Sequence, residues 1–539
     1  MNAKSTFIIL GSEVAHCSPT CLPDAEDHLT LLLRSVATDC EGLGGYVEEL
    51  LAESPPPELI FQVLYRALGE ILLESWIPLL SRDPNPVHRW IAYLMEEGVC
   101  THVVCLTRDP STERALFERE LVWGEDFQVC AGEDSFLRWI QFPHHIPTLY
   151  KPYGSSTRPQ SLIESLVGNP INPQAPRGAV LQQISRNRVP ILVGVTSKDF
   201  RDPFLSAWIE FLSTQHDGLD WIPLDEDSTP PIEKVNRLDI SWDAYLQSYC
   251  EDKGVDPEAF GIIGQEIFHH QAELEPWSEA HAQELEAHYL VGEILNANGQ
   301  LESALSCHRS GLARAVEREN PMSQAAYLMG MGGIDFRRDQ WNESAESFLC
   351  AARIFKAQGD LLKTLQTMAN VGACHLKLGN IEQALDVYRS NLSLAQSVNS
   401  GEEIARSYDG LASALVLDNR VDEAMEHLQI AIRVYEDLGD LDGVARCYDK
   451  MGWIELERNR SEEALEMFQK SLGNYEAMGQ AILAAQVSEN IARILMAGRR
   501  GEEASPFLDK ALILYEESGL ADQCAEIHRL KEQIGNLSS

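Results

Sequence analysis

Basic residues are scarce in this chain. Its 539 residues hold 43 lysines and arginines against 83 aspartates and glutamates, a formal net charge of −40. The deficit is not confined to a tail: residues 1–280 carry 43 acidic against 19 basic side chains, and residues 281–539 carry 40 against 24. A field of that sign repels a phosphate backbone, which excludes a general nucleic-acid-binding role and favours basic protein partners. Long apolar runs are missing as well. Nothing approaches the roughly 18 consecutive apolar residues of a membrane span, and Phe7–Leu10 is too short for a signal-peptide core. The twelve cysteines (17, 21, 40, 100, 105, 130, 250, 307, 350, 374, 447, 524) follow no paired spacing, so they read as buried thiols of a reducing compartment. The expected location is the cytoplasm, without a membrane partner.

Several chemical signatures are also missing. There is no Walker A lysine motif and no Gly-x-Ser-x-Gly elbow to activate Ser155 or Ser156 near Lys151. His16, Cys17 and Cys21 have no second ligand pair at zinc-ribbon spacing, and His144-His145 and His269-His270 lack partners, so no metal site is expected.

What is present is periodicity. Gly359, Asn399, Gly439, Gly479 and Gly519 fall at a fixed interval of 40 residues, and Phe355, Ala395, Tyr435, Tyr475 and Tyr515 stand four residues before each. Ala345, Ala384, Ala424, Ala464 and Ala504 keep nearly the same time, with Ala304 ahead of them. Parallel columns in one phase mark a solenoid of repeated supersecondary units. Within one unit, Met451-Gly452-Trp453 lies on a first helix, Asn459–Glu463 makes the turn, and Ala464-Leu465-x-x-Phe468 starts a second. Small residues twelve apart let the two helices approach closely, as in Gly292/Ala304, Gly333/Ala345, Gly372/Ala384, Ala412/Ala424, Gly452/Ala464 and Ala492/Ala504.

This pattern resembles the tetratricopeptide repeat, in a variant of about 40 residues similar to the kinesin light chain repeats. It implies an all-α superhelical solenoid over 283–539: six units to about residue 519, then a closing helix, Ala521–Ile534. The resemblance further implies a groove lined by the first helix of each pair, which binds a protein or peptide. By pattern position that groove holds Gln366, Asn370, Arg406, Asp409, Ser413, Arg446, Asp449, Trp453, Glu489, Asn490 and Arg493. No lysine is expected at the matching positions, and the three arginines face nearby acids, which disfavours a clamp for a terminal carboxylate.

Residues 1–225 read differently. Short apolar runs, Phe7–Leu10, His102–Leu106, Phe127–Cys130, Thr148–Tyr150, Ile191–Val193 and Trp221–Leu224, alternate with helical stretches such as Glu58–Leu80, His88–Glu97 and Pro203–Thr214. That alternation predicts an α/β domain with a mostly parallel, Rossmann-type sheet, whose ligands bind beyond the carboxyl ends of the strands. Residues 226–282 are expected to be a linker with connecting helices.

Three strand ends carry polar residues: Gly11-Ser12-Glu13-Val14-Ala15, then Thr107-Arg108-Asp109-Pro110 with Glu113-Arg114-Ala115-Leu116, then Gly194-Val195-Thr196-Ser197-Lys198-Asp199. Between the last two lies Lys151-Pro152-Tyr153-Gly154-Ser155, and upstream stands His88-x-x-Ile91-Ala92-x-Leu94. Their order resembles the Sir2-like family in its bacterial NAD-hydrolysing branch, over about 1–215. The resemblance implies that the catalytic Asn and His positions are held by Thr107 and Tyr153. A phenol, with an ordinary pKa of about 10, is a poor general base at neutral pH. Glu13 replaces the glycine that lets backbone approach the pyrophosphate, and a carboxylate against phosphate costs several kcal/mol. Gly11, Glu13, Asp109, Gly154, Ser155, Gly194, Thr196 and Asp199 are then remnants of a cofactor site, and with Glu113 and Lys151 the retained residues are expected to serve as turns and caps.

Together these features predict a pseudo-enzyme module fused to a partner-binding array: a scaffold, sensor or regulator, with no cofactor expected. Such fusions are similar to components of bacterial antiphage defence systems, and an operon-encoded protein is the expected partner. The alternative is an NAD-hydrolysing effector activated through its repeats, with NAD as its cofactor.

Overall fold

The computed structural model describes residues 6–11, 25–38, 42–69, 83–107, 109–141, 146–153, 176–186, 190–196, 203–215, 219–224, 235–238, 242–260, 286–517 and 520–538, with single positions 14, 40, 72, 188 and 199. The chain divides into two compact units, Met1–Cys307 and His308–Ser539.

The first unit is built on seven parallel strands: β1 (Thr6–Leu10), β2 (Cys100–Cys105), β3 (Gln128–Ala131), β4 (Thr148–Lys151), β5 (Pro190–Val193), β6 (Leu219–Ile222) and β7 (Val235–Arg237), in the order β3-β4-β2-β1-β5-β6-β7. A parallel sheet covered on both faces needs strands that are apolar throughout, and β1 satisfies this with its two sets of alternate residues. Ile8 and Leu10 pack with Val87, Trp90, Ile91 and Leu94 of α4 (Pro86–Glu96), whereas Phe7 and Ile9 pack with Val180 and Leu181 of α7 (Pro176–Ile184) and Leu205, Trp208 and Ile209 of α8 (Pro203–Gln215). After β2 the chain moves outward to β3 and β4, then returns to place β5 on the other side of β1. The strand order therefore reverses at β1, and crevices for ligands form at such reversals.

The α/β body does not stop at residue 225. β7 extends the sheet, and α9 (Trp242–Lys253) packs against its core, with Tyr245 and Tyr249 set edge-on to Trp90 at 5.9 and 5.8 Å. Nor does the repeat array separate at residue 283. Helix α10 (Ala287–Ala297) packs on α1 (Ala25–Thr38), α2 (Leu43–Ala52) and α3 (Pro57–Leu68). Polar contacts reinforce that seam: Tyr46 Oη and Ser306 Oγ lie 2.8 Å apart, and Ser303 donates to the Glu49 carboxylate. A helix buried on most of its circumference, as Ala287, Leu290, Val291, Ile294 and Leu295 show, can serve two neighbours at once.

The boundary between the units falls within α11 (Leu301–Glu317), and the second unit goes on with α12 (Pro321–Arg337), α13 (Trp341–Ala357), α14 (Leu361–Lys377), α15 (Ile381–Ser397), α16 (Gly401–Leu417), α17 (Val421–Leu438), α18 (Leu441–Glu457), α19 (Ser461–Ala477), α20 (Ala481–Ala497), α21 (Gly501–Glu517) and the closing α22 (Ala521–Ser538). The 40-residue interval is in fact two intervals of 20. Positive φ recurs at Gly299, Glu319, Asp339, Gly359, Gly379, Asn399, Asn419, Gly439, Asn459, Gly479 and Arg499, so one left-handed turn closes first and second helices alike. Each turn is a Schellman motif, for example with the Asp360 N–H on the Phe355 carbonyl at 3.0 Å and the Arg500 N–H on the Leu495 carbonyl at 2.8 Å. The helix that follows is capped at Asn320, Asp360 and Asp440 by a side-chain oxygen that accepts from the backbone N–H three residues on.

One pair of small residues differs from expectation. At residue 333 a Cβ would meet nothing within 4 Å, whereas at Gly332 it would lie 2.8 Å from Phe348. The close approach in this unit is therefore Gly332 with Ser344, not Gly333 with Ala345. Ser344 is fully buried and donates to the Gly332 carbonyl at 2.7 Å, so the column Ala304, Ser344, Ala384, Ala424, Ala464, Ala504 keeps a strict 40-residue step. The aromatic column Phe355, Tyr435, Tyr475 and Tyr515 is buried, as its spacing predicts.

Candidate functional site

At the strand ends the backbone comes first. Gly11, just beyond β1, donates its N–H to the Val193 carbonyl at 3.0 Å, and a Cβ there would lie 2.2 Å from the Gly194 oxygen and 2.3 Å from the Val195 Cα. Packing between β1 and β5 alone therefore requires glycine. The next turn is pinned by Asn85, whose amide donates to the Val14 carbonyl while its oxygen caps α4 through the Val87 and His88 N–H groups at 3.1 and 3.2 Å. Asn85 followed by Pro86 is a helix-start signal legible in the sequence.

Beyond β2 and β4 sits a buried charged cluster. Lys151 is wholly buried and forms an ion pair with Glu113 at 2.8 Å, while donating also to the Asp109 carbonyl. Asp109 accepts from the Ser111 N–H at 2.8 Å and so starts α5 (Ser111–Glu118). Asp109 thus fastens the turn ahead of the helix, whose N-cap position is Pro110, while Glu113 and Lys151 make neither a turn nor a cap. Theirs is an internal salt bridge between β4 and the helix after β2.

Burial pushes the His88 imidazole down to about 4, against the opposing pull of Asp109. For Asp109 burial acts upward, but His88, Lys151 and the Ser111 hydrogen bonds outweigh it and hold the carboxyl at about 2. Burial raises the Cys105 thiol to about 12, which removes it as a nucleophile at neutral pH. A pH dependence follows. The unfolded chain takes up a proton near the ordinary histidine pKa, about 6.5, before the folded chain does. His88 therefore contributes stability that is complete above pH 6.5 and lost as pH falls towards 4, up to about 3 kcal/mol. His102, lowered to about 4 chiefly by burial, adds a term of the same sign. Urea titrations at pH 7 and 4.5 followed by tryptophan fluorescence should show the loss, and His88→Gln should remove about half of it. An unchanged pH slope in that variant would contradict the assignment.

At the third strand end, the Asp199 carboxylate accepts from the Thr196 N–H at 2.8 Å and hydroxyl at 3.3 Å, and the Tyr153 hydroxyl donates to the Asp199 carbonyl at 3.2 Å. The Tyr153 turn is held from behind by Arg177, which donates to the Pro152 carbonyl at 2.9 Å and pairs with Glu133 at 3.0 Å. Thr107 follows β2 and is half-buried. Tyr153, Thr196 and Asp199 are thus joined in one hydrogen-bonded group, and Asp109, Glu113 and Lys151 in another. Glu13, Gly154 and Ser155 lie outside the described residues, as do His16, Cys17, Cys21, Ser156, His144, His145, His269 and His270.

On the array, the residues expected in the groove lie on the first helices: Gln366 and Asn370 on α14, Arg406, Asp409 and Ser413 on α16, Arg446, Asp449 and Trp453 on α18, Glu489, Asn490 and Arg493 on α20. Each arginine is engaged within its own helix: Arg406 with Glu402 at 2.7 Å, Arg446 with Asp442 at 2.8 Å, Arg493 with Glu489 at 2.7 Å. Arg493 also reaches Glu526 of α22 at 2.9 Å. Contrary to expectation, a lysine does stand on this face. Lys450 pairs with Asp409 across one repeat and lies 3.0 Å from the Ser413 hydroxyl. The signal was available, since Asn370, Gly410, Lys450 and Asn490 form a column at 40-residue spacing. Being tied to Asp409, Lys450 is not set as a carboxylate clamp. Asp409 itself is buried, and Glu489 accepts from the Tyr515 hydroxyl at 3.1 Å. Trp453 is 46% exposed, with its ring edge-on to Phe468 at 5.3 Å. Burial raises the Asp449 carboxyl, opposed by the Trp453 indole and Lys450.

Comparison with known proteins bears on the array. None of the curated proteins matches the chain. Among solved structures, the apo form of RapI is 16% identical, covering 46% of this chain and 97% of its own, with a TM-score of 0.35. Aspartyl phosphate phosphatase F from Bacillus subtilis is 13% identical over 62% and 89%, at 0.36, and BtubC (BKLC) from P. vanneervenii 15% identical over 41% and 92%, at 0.36. A family model, described as the tetratricopeptide repeat, matches residues 323–397 and 403–477, the helices α12 to α19. Helices α12 to α19 of the array therefore carry tetratricopeptide repeats.

Proposed function

We propose that this protein is an interaction scaffold or regulator: a catalytically degenerate Sir2-like module joined to a repeat array that captures a protein partner. The observation that carries the reading is the first-helix face, where polar side chains recur in register over four helices around an exposed tryptophan. A large exposed aromatic among ordered polar groups is the composition of a binding surface rather than of a solvated one. Capture of an operon-encoded protein within a bacterial antiphage defence system is the setting we propose.

The α/β module supports the degenerate half of this reading. A Sir2-like reaction needs an imidazole where this chain has Tyr153, whose hydroxyl is committed to the Asp199 carbonyl, and a carboxamide where it has Thr107. Gly11 is accounted for by the contact between β1 and β5. The described residues do not fit NAD hydrolysis. One observation favours the alternative, an NAD-hydrolysing effector: the second carboxylate oxygen of Asp109 is buried and has no hydrogen-bond partner among the described residues, and such an atom is served by a ligand or water. Calorimetry decides between them. The reading expects no heat of binding at millimolar NAD and no NAD loss on incubation, while an affinity tag on the intact chain co-purifies a genomic neighbour. Measurable NAD binding by the unaltered protein would overturn the degenerate assignment.

A further inference from the structure

Three acids stand at one position of three successive first helices, Asp409, Asp449 and Glu489, 40 residues apart. Two are neutralised. Asp409 is paired with Lys450 and Glu489 with Arg493. Asp449 has no ion pair among the described residues, and the cations nearest to it in sequence are engaged elsewhere, Lys450 with Asp409 and Arg446 with Asp442. One helical turn further, on the same side of α18, the Trp453 ring stands open to solvent. A partly buried carboxylate without a cation, beside an exposed indole, meets both requirements of a receptor for a basic side chain: a counter-charge, and an aromatic face over which a guanidinium or ammonium can lie. The wider field agrees, since residues 308–539 hold 36 acidic against 24 basic side chains.

We propose that Asp449 and Trp453 form the receiving site for an arginine or lysine side chain of a basic partner segment laid across α16, α18 and α20. This rests on the reading of the array as a protein-binding surface and adds the chemistry of what it binds. The partner's cation replaces the one that Lys450 and Arg493 supply at the neighbouring repeats, so the segment completes the ladder of pairs instead of competing with it. Arginine is favoured over lysine, because its planar guanidinium stacks on the indole while donating to the carboxylate.

The test uses the full-length protein and three labelled, end-blocked peptides of Gly-Ser spacers carrying arginine, lysine or glutamate at every third position, with fluorescence polarisation at physiological salt. The arginine peptide should bind, the lysine peptide more weakly and the glutamate peptide not at all. Asp449→Asn and Trp453→Ala should each weaken the arginine peptide by about fivefold or more. Asp386→Asn, on a second helix and 77% exposed, should stay within about twofold. Both informative positions are solvent-accessible, so circular dichroism should show each variant folded. The proposal is overturned if the arginine peptide fails to bind, if Asp449→Asn or Trp453→Ala binds it like the unaltered protein, or if Asp386→Asn weakens it equally. In any of these cases co-purification of a partner by the unaltered chain would leave the scaffold reading intact, so the two failures are distinct.

Discussion

Replacing Lys151 with methionine is expected to destabilise the α/β unit by about 3–5 kcal/mol, because it strands the Glu113 carboxylate in a buried site. Lys151 has no exposed side-chain surface and Glu113 only 4%, so water cannot substitute for the lost ammonium. The loss also strips a donor from the Asp109 carbonyl. Set against a typical total stability of about 5–15 kcal/mol, this is a large fraction. Eight of the ten tryptophans fall within residues 1–280, so tryptophan fluorescence during heating reports mainly on this unit. A drop in midpoint of about 10 °C or more is expected. The double variant Lys151→Met, Glu113→Leu should recover much of it, since a buried pair replaced by apolar groups is often close to neutral. A single variant that melts like the natural protein would show that the pair is hydrated and not a structural bond.

Substitution of Gly11 by alanine is the second large effect. The added carbon would meet the backbone just beyond β5, the Gly194 oxygen at 2.2 Å and the Val195 Cα at 2.3 Å, so no side chain can rotate away to relieve it. β1 and β5 must part, at the centre of the sheet, which breaks the Gly11 N–H bond to Val193 and loosens Phe7, Ile9 and Leu192 on one face. A cost of about 3 kcal/mol or more follows, at the upper end of overpacking. The readout is the same fluorescence melt in the absence of any nucleotide. A normal melt in Gly11→Ala would mean that the strands leave room, and that the glycine is kept for an approaching ligand.

The two experiments bear on why the strand-end motifs could be read in the sequence while their roles could not. Six strands were visible as apolar runs because a strand covered on both faces must be apolar on both. β7 was not, since Val235-Asn236-Arg237 offers one apolar residue at the edge of the sheet. Gly11 and Lys151 were visible as motif members, but the carbonyl behind Gly11 and the acid beside Lys151 come from strands and helices 38 or more residues away. Sequence order cannot show that β4 inserts between β2 and β3. The array was far more legible, because its partners recur at a fixed step. Even there, one alanine replaced by Ser344 was enough to shift a column to the neighbouring Ala345, and Lys450 hid among the asparagines of its own column. The three arginines were expected to face nearby acids, and each pairs with an acid four residues before it on its own helix. The seam between α10 and the helices α1 to α3 had no periodic signature at all.

The left-handed turns at every twentieth residue set the arithmetic by which such a gene can grow or shrink. Gain or loss of a single twenty-residue segment would leave every turn and every helix length intact, and the chain would still stack. It would nevertheless exchange the two helix types from that point onward, so the surface bearing Trp453 would be continued by residues selected to face the other way. Only steps of a full pair preserve both the stack and the binding face. A lineage of this protein should therefore vary in length by multiples of 40 residues, and a homologue offset by 20 should have lost its partner while keeping its fold.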